Sequence, residues 1–250
     1  MLENQLKEHL SQMRLTGMLN AYLNQQGDPS LKELSFEERF GLLVDFEWTS
    51  RQNRRLARML KDSGLPNACP EDLDFSARRH LDRRLISSLI NGEWIVHHQN
   101  ILIVGPTGVG KTYLAGAFGH AACRMGYTAR YFRLSKLLEK LLMARGDGTY
   151  FKVFAALKHA DLLILDDWGL KPLSAHECGE LLELFEERFN SGSTIIASQL
   201  PLEHWTHALT DPTLADAILD RIVHNAHKIS LKGESMRKVK SNMETPIPEP

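Results

Sequence analysis

The sequence carries little that would hold it together from outside. It has three cysteines in 250 residues, Cys69, Cys123 and Cys178, none in C-x-x-C or zinc-like Cys/His spacing. Scattered thiols in odd number exclude a disulfide scaffold and suit a reducing compartment, where each reads as a small core hydrophobe. Apolar runs such as 161–165 fall far short of a membrane span. The opening MLENQLKEHL mixes acids with bases, unlike a secretory signal, so a cytoplasmic protein without membrane contact is expected. Net charge is only −1, so no global field draws the chain to nucleic acid. The 11 histidines, His97, His98, His204, His207, His224 and His227 among them, lack acid/His spacing within one element, which argues against a metal site. What remains is 43% apolar and 24% charged, the profile of a globular chain long enough for one α/β domain and a smaller appendage.

The first hundred residues read as helical. Leu2, Leu6, Leu10 and Met13 recur at helical spacing, followed by Met18, Leu19, Tyr22 and Leu23, and Gly27-Asp28-Pro29 breaks the pattern. Ser35 and Glu38 have capping-box spacing. One long helix, or two with a bend near Trp48–Ser50, then runs to Gly64. A two-proline linker and a helix over about 76–90 follow. After Asn100 the period changes: strands are expected at 101–104, 127–132, 162–165, 194–197 and 228–231, with helices between them. Such alternation implies a parallel sheet covered on both faces. Residues 1–70 are thus expected to form a helical region, 71–240 an α/β module and 241–250 a disordered tail.

Gly105-Pro106-Thr107-Gly108-Val109-Gly110-Lys111-Thr112 fits G-x-x-x-x-G-K-[ST] without mismatch. Glycines let the backbone wrap closely round phosphates so that N–H groups converge on them. Lys111 can reach the β- and γ-phosphates of ATP, Thr112 can ligate Mg²⁺, and Tyr113 continues the binding segment. A buried strand before the loop and a helix after it supply the context that a chance glycine turn lacks. The strand Leu162–Leu165 ends in Asp166 and Asp167, where an acid would hold Mg²⁺ and its neighbour could polarise water; the plain alternative is an aspartate turn. Ser198 and Gln199 end another strand, and Gln199 is the better candidate to orient water beside the γ-phosphate.

In this order GPTGVGKTYLAGAFG, LLILDDWG, IIASQLPLEHW, DAILDRIVHNA and GESMRK resemble the IstB helper ATPases of bacterial insertion sequences, relatives of the DnaC helicase loaders in the AAA+ class. The resemblance runs from about Gln52 to about Lys240. It implies an AAA+ module with a five-stranded parallel sheet in the order 5-1-4-3-2 and no C-terminal lid domain. It also implies an ATPase forming ADP and phosphate, with Mg²⁺, in an ATP-dependent homo-oligomer. Arg221 would be the arginine that contacts a neighbour's γ-phosphate, and Arg237 a sensor facing the nucleotide. Gln199 stands where many relatives have asparagine. The partners implied are duplex DNA and a transposase that the ATPase assists.

Arg51, Arg54, Arg55 and Arg58 fall on one helix face, away from Leu56, Met59 and Leu60, and Arg78 and Arg79 begin a second basic cluster. Such stripes neutralise phosphates without reading sequence, and the resemblance turns an otherwise even choice between solvated faces and DNA contact towards DNA. Two other functions share the P-loop. A DnaC-like loader would prefer single strands and a hexameric helicase. A small-molecule kinase would carry an arginine-rich lid, but between Gly169 and Ser193 the only arginine is Arg188.

Overall fold

The structure is a computed structural model that describes residues 2–75 and 81–236. Two compact units divide between Arg58 and Met59, twelve residues before the boundary expected from the sequence.

The N-terminal unit contains α1 (Leu2–Gln12), α2 (Thr16–Gly27) and most of α3 (Phe36–Ser63). Ser35 and Glu38 cap α3 reciprocally: Ser35 N–H donates to Glu38 Oε2 at 2.8 Å and Glu38 N–H to Ser35 Oγ at 3.2 Å. The helix continues unbroken for 28 residues, so the alternative with a bend near Trp48 is not realised. Within the unit α2 crosses α3 at Gly17, where a Cβ would stand 2.9 Å from Glu47 Cα. That approach buries Glu47, whose Oε2 accepts from Met18 N–H at 2.9 Å and supplies the missing partner at the start of α2.

The second unit runs α4 (Arg83–Ile90), α5 (Glu93–Val96), β1 (Asn100–Val104), α6 (Lys111–Arg124), β2 (Ala129–Arg133), α7 (Leu134–Gly146), α8 (Tyr150–Lys158), β3 (Leu162–Trp168), α9 (Ala175–Arg188), β4 (Ser193–Ser198), α10 (Pro212–Val223) and β5 (Ala226–Ser230). All strand pairs are parallel and the order is β2-β3-β4-β1-β5, the expected order seen from the other edge. Leu102, Leu163, Leu165 and Ile196 pack towards α7, α9 and α10. The opposite face meets α6, where a Cβ on Gly119 would touch Ile164 at 2.9 Å and Leu65 at 2.4 Å. Among the described residues, no helical domain follows β5, and no helix is long and apolar enough to cross a membrane.

Hydrophobic periodicity misses α5 and α8, which are too short for the pattern to accumulate. It also starts α4 too early. Asp82 is extended and its carboxylate accepts from Arg84 and Leu85 N–H, which fixes the helix start at Arg83. Residues 76–80 and the expected tail lie outside the described residues.

Arg188 is no lid residue. It is 2% exposed at the end of α9 and donates to the carbonyls of Leu157 (2.7 Å), Ala160 (2.7 Å) and Ser193 (2.5 Å). Burial pushes its guanidinium down to about 10, with Asp161 opposing the shift. The arginine thereby satisfies the C-terminal carbonyls of α8 and the entry to β4. Arg188→Met should leave those carbonyls without donors and lower unfolding free energy by about 3–5 kcal/mol, measured as a fall in the urea midpoint at unchanged slope.

Candidate nucleotide site

The loop 105–110 leaves β1 at its carboxyl end and enters α6 at Lys111. Gly105, Gly108 and Gly110 have φ of 155°, 81° and 103°, values that side-chain-bearing residues resist. Val109 is completely buried and pins the loop from beneath, while Pro106 and Thr107 are exposed at its crest. The first N–H groups of α6, on Lys111, Thr112 and Tyr113, have no partner within the helix and point to the loop side with the positive end of the helix dipole.

Lys111 is 8% exposed, and its ammonium donates to the carbonyls of Gly105 at 2.7 Å and Pro106 at 2.9 Å. Burial pushes it below the ordinary lysine value, and the charges of Asp166 and Asp167 pull it partly back. Thr112 Oγ1 donates to Asp166 Oδ2 at 2.6 Å, which joins the two sequence motifs in space. Asp166 is 2% exposed. Its Oδ2 also accepts from Tyr131 O–H at 2.9 Å, and its Oδ1 from the Asp167 N–H at 2.8 Å.

This corner is built on a bulge. Leu165 pairs with Ile196 and Trp168 with Ser198, so three steps along β3 match two along β4. The extra residue turns Asp167 to φ 60°, a left-handed conformation that aspartate tolerates better than most residues. Both aspartates are therefore presented at the loop instead of alternating across the sheet. Arg133 Nε stands 3.6 Å from Asp167 Oδ2.

Of the two polar residues ending β4, Gln199 meets the loop: Thr107 Oγ1 donates to Gln199 Oε1 at 2.6 Å. Ser198 is turned inward, donating to Trp168 O at 2.8 Å and accepting from Leu200 N–H at 3.0 Å. Tyr113 points away from the loop crest, its hydroxyl between the backbone N–H (3.3 Å) and C=O (3.4 Å) of Cys69.

Three contributors escaped the sequence reading. Tyr131 and Arg133 sit in a strand whose value lies in being next to β3. The third is the direct contact with the loop made by the segment after β5, a segment expected at the nucleotide only through Arg237. Met236 N–H donates to Gly108 O at 2.9 Å, and a Cβ on Gly108 would lie 2.2 Å from Ser235 Oγ. A Cβ on Gly105 would likewise meet Leu231 O at 2.4 Å.

Arg221 lies at the other end of the sheet. The side chain of Asn100, the first residue of β1, donates to Ile222 O at 3.2 Å beside it, and the Arg221 guanidinium contacts Asp220 Oδ2 at 2.7 Å and the Phe189 ring at 5.2 Å. A five-residue strand, roughly 15 Å long, separates that end from the loop. Glu47 balances part of the Arg51 stripe. Arg51 Nε bonds Glu47 Oε1 at 2.6 Å and Arg54 Nη2 lies 3.6 Å from the same oxygen, while Arg55 and Arg58 are exposed on the same face. Arg78, Arg79 and Arg237 lie outside the described residues.

The donor set is that of a site for a polyphosphate with a hard cation: backbone N–H groups, an ammonium, a hydroxyl and a carboxylate, all at the carboxyl edge of a parallel sheet. Comparison with known proteins agrees. Residues 8–244 match the family model described as IstB-like ATP binding protein. A protein named for ATP binding in an insertion sequence of Sinorhizobium fredii is 47% identical over 239 residues, covering 95% of this chain and 98% of its own. The ATP-binding protein named for insertion sequence IS1162 of Pseudomonas fluorescens is 46% identical over 214 residues, 85% of this chain and 93% of its own. Among solved structures, DnaI matches with a TM-score of 0.58 at 21% identity, over 68% of this chain and 95% of that one. The DnaC helicase loader matches at 0.52 and 21%, over 60% and 87%. These two likenesses concern the fold.

Replacing Lys111 by alanine should weaken binding of a fluorescent ATP analogue about 100-fold, the effect of removing a charged donor from phosphate, with an unchanged circular dichroism spectrum. Gly108→Ala should lift the 231–236 segment, seen as faster amide exchange in the peptide that contains it.

Proposed function

The chain belongs to the family of IstB-like ATP binding proteins, and from that premise we propose that it is the ATP-driven helper of insertion-sequence transposition. It is an AAA+ P-loop ATPase. In this reading, ATP-bound protomers assemble on duplex DNA in the cytoplasm, present the target to a partner transposase, and leave after hydrolysis to ADP and phosphate.

Lys111 exchanges its two loop carbonyls for phosphate oxygens, an exchange favoured by the helix N-terminus at the loop, while the two aspartates help keep the ammonium charged. Thr112 and Asp166 would hold Mg²⁺, for their oxygens are hard donors already brought together beside the loop. When bound, the metal neutralises charge on the phosphate oxygens. Asp167 and Gln199 orient the attacking water from the ends of the neighbouring strands β3 and β4. By the family resemblance Arg237, outside the described residues, would face the nucleotide.

The observation that carries the assembly reading is the position of Arg221. It lies at the end of the sheet remote from its own loop, so it can serve phosphate only on a neighbouring protomer. The arginines of α3 would lie along the DNA backbone, with Glu47 holding Arg51 and Arg54 in place.

ATP turnover measured with and without duplex DNA tests this. Duplex should raise turnover and self-association of the parent more than single strands do, and Arg221→Ala should lose that stimulation while still binding ATP. Normal hydrolysis by assembled Arg221→Ala would remove the arginine from the site. Arg54→Ala/Arg55→Ala should weaken duplex binding irrespective of sequence and flatten the dependence of log affinity on log salt by up to about 2.

A further inference from the structure

Tyr131 has no assigned part in this site, and its hydroxyl reaches the carboxylate on which the site converges. It stands on β2 opposite Ile164 of β3, half-buried, with its O–H 2.9 Å from Asp166 Oδ2. A carboxylate offers about four lone-pair sites. On Asp166 one on Oδ1 faces the Asp167 N–H, and both on Oδ2 face hydroxyls, from Thr112 and Tyr131. Thr112 and the Asp167 N–H hold one oxygen each; a third donor, from a different strand and attached to a rigid ring, tightens the plane of the group.

We infer that Tyr131 is a positioning residue for the cation site: by holding Asp166 Oδ2 it turns the remaining lone pair of Oδ1, and the oxygen of Thr112, towards the same metal. The inference rests on the reading of Thr112 and Asp166 as the Mg²⁺ pair. The phenol is suited to the task, because its O–H is a hydrogen-bond donor carried on a rigid ring. A purely structural role is poorly served by this geometry, for the hydroxyl spends its hydrogen bond on the buried carboxylate that also meets Thr112.

The test uses the full chain and a fluorescent ATP analogue, titrated with Mg²⁺ and also bound in EDTA. Tyr131→Phe should raise the Mg²⁺ midpoint roughly tenfold, the effect of losing one hydrogen bond to a charged acceptor, while affinity in EDTA stays within about twofold of the parent. Mn²⁺ binding followed by electron paramagnetic resonance should weaken in parallel. A midpoint within about twofold of the parent overturns the inference, and so does an equal loss of affinity in EDTA, which would mark general damage to the site. A Y131F chain that fails to fold also counts against it, since a hydroxyl that only orients a carboxylate is not needed for folding. Asp166→Asn separates the two levels. If it keeps the parent's Mg²⁺ midpoint, the metal reading of the site itself is wrong. If it loses the Mg²⁺ response while Tyr131→Phe does not, only the role given to Tyr131 falls.

Discussion

A carboxylate at 2% exposure must be surrounded by donors, and meeting that requirement for Asp166 organises much of this molecule. The donors come from three places: Thr112 at the start of α6, Tyr131 on β2 and the backbone of Asp167 on β3 itself. Each needs its own element in register. β2 must lie beside β3, the loop must bring α6 over the strand ends, and β3 must bulge so that two successive aspartates reach one edge. Loop, sheet order and bulge are thus parts of one constraint.

The polar groups of the site are engaged within the protein. Lys111 is folded on to the loop carbonyls, Asp167 is near Arg133, and Gln199 is bound to Thr107. The segment 231–236 lies across the loop, closing over Gly108 in a space that a methyl group would fill. Preorganised donors of this kind need little rearrangement to accept phosphate, which is how a small loop gains affinity without a deep pocket.

The N-terminal unit repeats the theme with different groups. Glu47 is buried against Gly17, and burial alone would raise its carboxyl; Arg51 and the Met18 N–H outweigh that and keep it below the ordinary glutamate value. One side chain therefore caps α2 and restrains two arginines of the stripe. A basic face anchored in this way presents its charges in a fixed row, suited to a regular phosphate backbone.

Local chemistry was legible in the residues. The Gly105–Thr112 loop, the cap at Ser35–Glu38, the buried central strands and the paired aspartates are written in short spans, because phosphate wrapping, capping and strand burial depend on near neighbours. The order of the strands was legible as well, though only through the likeness of five ordered motifs. The tertiary structure alone decided what depends on distant parts of the chain. Periodicity cannot say that Tyr131 would face Asp166, 35 residues on, or that Ser235 would rest on Gly108. Nor could it show that Glu47 caps α2 at a helix crossing, or that Arg221 stands a strand's length from its own loop. Side-chain partners across a sheet follow from strand order, register and a one-residue bulge, and no local pattern encodes those three together.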